Sequence, residues 1–157
     1  MKSIRDSPYN KNAPIRTIDA ISLVTDYTKG GKITGKYCGQ CVIAMLAGVT
    51  LDEVIELMKD IGSSKQALKK ALDYYGIQYA PKSTHILKST ANVPNSLLPD
   101  VCVLRVIIAD KNGEFKFKKD RGHWCLFFKG RYYDPDGGVS GECPKHLKIF
   151  QVWQIYP

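Results

Sequence analysis

The sequence predicts an α+β fold in which N-terminal helices pack on a C-terminal antiparallel sheet. Three observations predict it. Between residues 38 and 76, apolar residues recur at helical spacing in three segments, each stopped by a glycine. From residue 101 onward the pattern changes to short β-branched and aromatic runs broken by turn residues. The helices come first and the strands follow without alternation, which gives segregated halves rather than a βαβ series. With no internal repeat or low-complexity segment, residues 18–157 read as one domain behind an irregular arm, residues 1–17, that carries Pro8 and Pro14.

The elements follow in order. Residues 18–28 fit a short helix or a strand equally well. Residues 29–37 form a Gly-rich loop. The first helix opens at Cys38, takes a broad apolar face from Val42, Ile43, Met45, Leu46 and Val49, and stops at Gly48. Thr50 and Glu53 predict a capping box for the second helix, whose buried stripe is Leu51, Val54, Ile55, Leu57 and Met58 and whose stop is Gly62. Ser63 and Gln66 predict another capping box for the third, which carries Leu68, Ala71, Leu72 and Tyr75 and closes at Gly76. Residues 77–79 make a short strand. Residues 81–100, with Pro81, Pro94 and Pro99, read as loop. The run VCVLRVII at 101–108 is a buried strand, and Asp110-Lys-Asn-Gly113 turns it into residues 114–118. Residues 124–128, a turn at Lys129-Gly130-Arg131, residues 132–134 and a final strand at 149–155 complete a sheet of four or five strands.

Composition narrows the function classes. Hydrophobic residues at 44% and charged residues at 24% describe a globular chain. No run approaches the roughly 18 apolar residues that span a bilayer, so no membrane partner is expected. The polar N-terminus lacks the apolar stretch of a signal peptide, which predicts a cytoplasmic location. Net charge is +8, but nucleic acid is disfavoured as a partner. The densest basic stretch, residues 111–121, also holds Glu114 and Asp120 and reads as a solvated hairpin, and no zinc-finger, helix-turn-helix or RNA-recognition signature occurs. A basic surface instead steers an acidic substrate or partner toward the chain. The five cysteines, an odd count without a signal peptide, do not form a disulfide framework. Cys102 and Cys125 lie inside apolar runs and read as small core residues.

The chemistry begins at Cys38, where a Gly-rich loop becomes a helix. A helix N-terminus offers backbone N–H groups and a partial positive charge, which favour a thiolate. The same donors suit the oxyanion of a tetrahedral intermediate, and Gly39 lets a substrate backbone approach closely. Downstream, His123 opens one strand and Asp134 ends the next. On adjacent hairpin strands these two positions are neighbours, and a carboxylate beside imidazole fixes its tautomer and stabilises the imidazolium. Asp136 is the fallback carboxylate.

The run Tyr37-Cys-Gly-Gln-Cys-Val-Ile-Ala-Met-Leu-Ala-Gly48 resembles the nucleophile helix of the double-glycine leader peptidase-like branch of the papain-like cysteine peptidases. The segment Leu68-Lys-Lys-Ala-Leu-Asp-Tyr-Tyr-Gly-Ile77 is similar to a later helix of that branch. The segment His123-Trp-Cys-Leu-Phe-Phe-Lys-Gly-Arg-Tyr-Tyr-Asp-Pro135 resembles its histidine strand, hairpin and Asp-Pro. The similarity spans residues 30–136 in chain order. It implies a papain-like fold and hydrolysis of a peptide or related amide through a thioester, with Cys38 as nucleophile, His123 as base and Asp134 as the orienting acid. It implies a peptide or protein substrate, no cofactor and no metal. Size and the lack of a transporter segment suggest a stand-alone enzyme such as a bacterial or phage effector.

The sequence departs from the family pattern in two places. Lys32 stands where the family carries an oxyanion-hole Gln, which leaves Lys32 or Thr34 as the candidate donor. Cys41 is an alternative nucleophile, because in Cys-Gly-x-Cys runs of papain the second cysteine reacts. Two further readings belong to other function classes. Cys38, Cys41, Cys143 and His146 have the ligand count and pair spacing of a Cys₃His zinc site. The same fold can also serve as a catalytically silent binding module.

Overall fold

The computed structural model describes residues 18–25, 37–59, 64–85, 93–115 and 122–156. Among these, three helices precede seven strands: α1 (Cys38–Ala47), α2 (Leu51–Met58), α3 (Lys65–Tyr74), β1 (Gln78–Tyr79), β2 (Thr84–His85), β3 (Val101–Ile108), β4 (Gly122–Phe128), β5 (Arg131–Asp134), β6 (Gly138–Ser140) and β7 (Leu147–Tyr156). The α+β class with segregated halves is as the sequence predicts. No described helix is long and apolar enough to cross a membrane.

Local signals account for the helix ends. Gly48 adopts the left-handed conformation that closes α1, and its N–H donates to Ala44 O at 2.9 Å. Thr50 caps α2 by accepting from the Glu53 N–H at 3.2 Å. This helix ends earlier than the stop predicted at Gly62: Lys59 turns left-handed (φ 56°), and Gly62 lies outside the described residues. The cap of α3 is Ser64, whose Oγ accepts from the Ala67 N–H at 3.1 Å, and not the predicted Ser63. Two adjacent serines offer the same oxygen one residue apart, so the local pattern could not choose between them. Residues 18–25 are neither helix nor strand, yet Ile18 is buried in the core and Ile21, Leu23 and Val24 pack against that core.

Every strand pairing is antiparallel, and the strand order is β1-β7-β3-β4-β5-β6, with β2 also pairing β7. β1 lies where residues 77–79 predict a short strand, and the sheet exceeds the predicted four or five strands through β2 and β6, which are two and three residues long. Such short strands exist through pairing with a neighbour rather than through their own propensity. Residues 110–113 form the predicted turn, tied by the Asp110 carboxylate to the N–H groups of Asn112 and Glu114. Glu114 and Phe115 are not strand, and residues 116–118 lie outside the described residues.

Strand alternation splits the core into two clusters. Val101, Val103, Trp124, Leu126, Phe128, Trp153 and Ile155 face the helices and bury Val42, Ile43, Met45, Leu46, Leu68 and Leu72. Cys102, Leu104, Val106, Cys125, Phe127, Tyr132, Leu147 and Ile149 form the second cluster on the opposite face. Residues 95–97, a short 3-10 turn, lie against that face. Tyr132 Oη donates to Asn95 Oδ1 at 2.6 Å, and Asn95 Nδ2 donates to Gly141 O at 2.8 Å. The β4–β5 connection is a two-residue turn, one residue shorter than predicted, because Arg131 already pairs with Phe128 as the first residue of β5. Lys129 (φ 44°) and Gly130 (φ 84°) are both left-handed, which is the backbone a tight hairpin requires. Its register pairs Phe128 with Arg131, Phe127 with Tyr132 and Leu126 with Tyr133.

Candidate active site

Cys38 is the first residue of α1, a helix without a charged side chain and buried along its whole length. Tyr37 precedes it with no side-chain cap. The Cys38 and Gly39 amides, in the first turn, have no carbonyl four residues earlier inside the helix to bond. The positive end of the helix therefore lies at the Cys38 thiol. Cys38 as a whole residue is 7% exposed.

His123 is the second residue of β4 and Asp134 the last of β5. The tight turn brings the start of one strand toward the end of the other, and His123 Nε2 lies 2.6 Å from Asp134 Oδ1, with each residue 3% exposed. The turn after β5 fixes the carboxylate from the other side. The Asp136 N–H donates to Asp134 Oδ1 at 3.0 Å, and the Gly137 N–H to Asp134 O at 3.1 Å. Gly137 is required for this fit: a Cβ there would stand 2.7 Å from Asp134 Oδ2. Asp136, the fallback carboxylate, sits on the far side of the ring, its Oδ2 3.7 Å from His123 Nδ1.

The electrostatics follow from this packing. Burial disfavours a charged imidazole, but the hydrogen bond that the imidazole donates to Asp134 and weaker interactions with the Cys125 and Cys38 thiols outweigh it, so the His123 pKa is raised. Burial likewise works against the Asp134 carboxylate. The His123 bond, the Asp136 amide and the charges of His123 and His146 prevail, and hold its pKa below the usual carboxylate range. Cys125, two residues beyond His123, is pushed up to about 12 by burial and stays a thiol.

The sequence-predicted residues thus divide. Cys38, His123 and Asp134 come together, since the Cys38 thiol interacts with the imidazole that Asp134 holds. Gly39 is buried in the same helical turn. Cys41 is fully buried one turn further on and is not among the groups acting on His123. Lys32 and Thr34 lie outside the described residues. The predicted Cys38, Cys41, Cys143 and His146 metal set is not assembled: among the described residues, the potential metal-ligating groups that converge are His123, Cys125 and Asp134. Cys143 is engaged elsewhere, its Sγ 3.7 Å from Leu147 O.

Cys125 and Gly137 are the site neighbours that sequence reasoning did not place here, whereas Asp136, the fallback carboxylate, is found beside the ring. For Cys125 the signal was available, because residues i and i+2 of a strand share a face. For Gly137 only the folded turn reveals the reason. No protein-family model, no curated protein and no solved structure matches this chain.

Proposed function

We propose that this chain is a papain-like cysteine hydrolase that cleaves a peptide or related amide bond. The observation that carries the reading is the buried His123–Asp134 contact of 2.6 Å at an imidazole that also interacts with the thiol opening α1. Asp134 occupies Nε2, so the proton exchange with Cys38 is assigned to Nδ1, the nitrogen that Asp136 Oδ2 also approaches at 3.7 Å. In the mechanism, Nδ1 accepts the Cys38 proton and the thiolate attacks the substrate carbonyl. The amides at the start of α1 stabilise the resulting oxyanion. His123 then returns the proton to the leaving amine, which departs as a thioester forms, and water attacks the thioester to release the acid and the free thiol. The same machinery serves peptide cleavage, glutamine deamidation or acyl transfer, and the basic chain suits an acidic peptide or protein.

Labelling with iodoacetamide across pH, with the modified residue mapped by mass spectrometry, tests this. Cys38 should be the fastest-labelled cysteine and should react slowly in His123→Ala. Fast labelling of Cys41 instead would transfer the nucleophile role to that residue. A second reading, a silent binding module on the same fold, is favoured by the burial of Cys38. It prevails if Cys38 reacts no faster than a free thiol at any pH.

A further inference from the structure

Cys125 has no part in the proposed hydrolysis, yet it stands beside the imidazole with its thiol buried. His123, Cys125 and Asp134 each offer a ligand atom, and those atoms lie within 4.8 Å of one another, all three residues being buried. Imidazole, thiolate and carboxylate are the three side-chain types that bind zinc, at about 2.0–2.3 Å.

We propose that His123, Cys125 and Asp134 form a zinc-binding site, three protein ligands with a fourth position open toward Cys38, and that zinc bound there disables the thiol. The zinc site itself does not depend on the hydrolase reading; its effect on the Cys38 thiol rests on that reading.

The geometry asks for small movements. Two N or O ligands at about 2.1 Å from a tetrahedral ion stand roughly 3.4 Å apart. His123 Nε2 and Asp134 Oδ1, now 2.6 Å apart, would open by about 0.8 Å as the ion replaces the proton between them. The Cys125 proton goes to solvent, because a metal-bound thiol is deprotonated outright. Three ligands plus an open position is the arrangement of reactive rather than purely structural zinc sites. The turn that bonds the Asp134 carboxylate also serves as the outer support that orients a ligand. With its imidazole committed to the ion, Cys38 loses its proton acceptor.

The test is zinc titration of the full chain against a chromogenic chelator, repeated with cobalt(II) as a spectroscopic substitute. One zinc should bind, cobalt should give a thiolate-to-metal charge-transfer band, and zinc should slow iodoacetamide labelling of Cys38 reversibly on chelation. Cys125→Ser should weaken zinc binding by more than roughly tenfold and remove the cobalt band, whereas Cys143→Ser should change neither. The proposal fails if wild type binds no zinc, if bound cobalt shows no thiolate band, or if affinity follows Cys38, Cys41 or Cys143 while Cys125→Ser binds as wild type does. Should Cys125→Ser fail to fold, the cobalt band in wild type and its persistence in Cys38→Ala still decide. Labelling of Cys38 in metal-free protein reads the hydrolase proposal separately, so the two can fail independently.

Discussion

The two faces of the sheet are built for different work. The face under the helices is apolar through its depth: Val101, Val103, Leu126, Phe128 and Ile155 meet Val42, Ile43, Leu68 and Leu72. Trp124 and Trp153 bring one N–H each to it, and Trp153 Nε1 donates to Ala80 O at 2.9 Å. The other face carries Cys102, Cys125 and Tyr132 among its aliphatic residues. By strand alternation it also carries His123 and Asp134. The Cys125 and Cys38 thiols therefore reach one imidazole from different packing layers. Burial area holds the first face together, whereas the second face holds charge that must be paired to be tolerated.

Substitutions on the two faces should fail in different ways. The largest stability loss is expected for Trp153→Ala, which empties a fully buried ring that Tyr79 meets edge-on at 5.1 Å and Lys65 approaches at 5.3 Å. It should cost about 4 kcal/mol at any pH, read from the urea midpoint.

Asp134→Asn should cost somewhat less, about 3 kcal/mol, and in a pH-dependent way, because it leaves a buried imidazole without its counter-charge. The folded Asp134 pKa is depressed. Its stabilising share is complete above the unfolded value of about 3.9 and is lost as pH falls through the folded value. The folded His123 pKa is raised. Its share is complete below the unfolded value of about 6.5 and is lost as pH rises through the folded value. The gap between wild type and variant should therefore be widest between about pH 4 and 6.5. A gap of equal size at all pH values would mean that the pair acts only through packing.

Gly137→Ala sharpens the distinction further. The position does not need a left-handed backbone, so global stability should fall by only about 1 kcal/mol. The new Cβ displaces the Asp134 carboxylate, however, and Cys38 labelling should slow roughly tenfold or more. The smallest effect belongs to a residue that neither face uses. Ser64→Ala removes the α3 cap and should lower the urea-derived stability by about 1 kcal/mol, with Cys38 labelling unchanged.

Much of this plan was legible in the sequence where one residue type decides one geometry. Gly48 ends α1, Thr50 starts α2, and Lys129-Gly130 turns β4 into β5, so the approach of His123 to Asp134 followed from a hairpin alone. What stayed hidden depends on partners distant in the chain. β2, inside a stretch read as loop, is a strand only because β7 lies beside it. The register of β3 on β7 shifts between Arg105 and Val106 with no glycine to announce it. Cys125 looked like an ordinary core thiol because its apolar neighbours, Trp124 and Leu126, face the opposite side. Its nearness to the imidazole is a matter of alternation, which hydrophobicity does not display.

The two-residue turn at Lys129-Gly130 makes the pairing of base and carboxylate a matter of parity. His123 lies five positions before Phe128 and Asp134 three positions after Arg131, and the turn fixes how these counts face each other. Inserting one residue would exchange odd for even along β5 and carry Asp134 to the helical side, with every side chain at the site intact. Two residues inserted would restore the face but move the carboxylate along the strand. The site is therefore protected less by the identity of its own residues than by the integer length of a loop that never touches it.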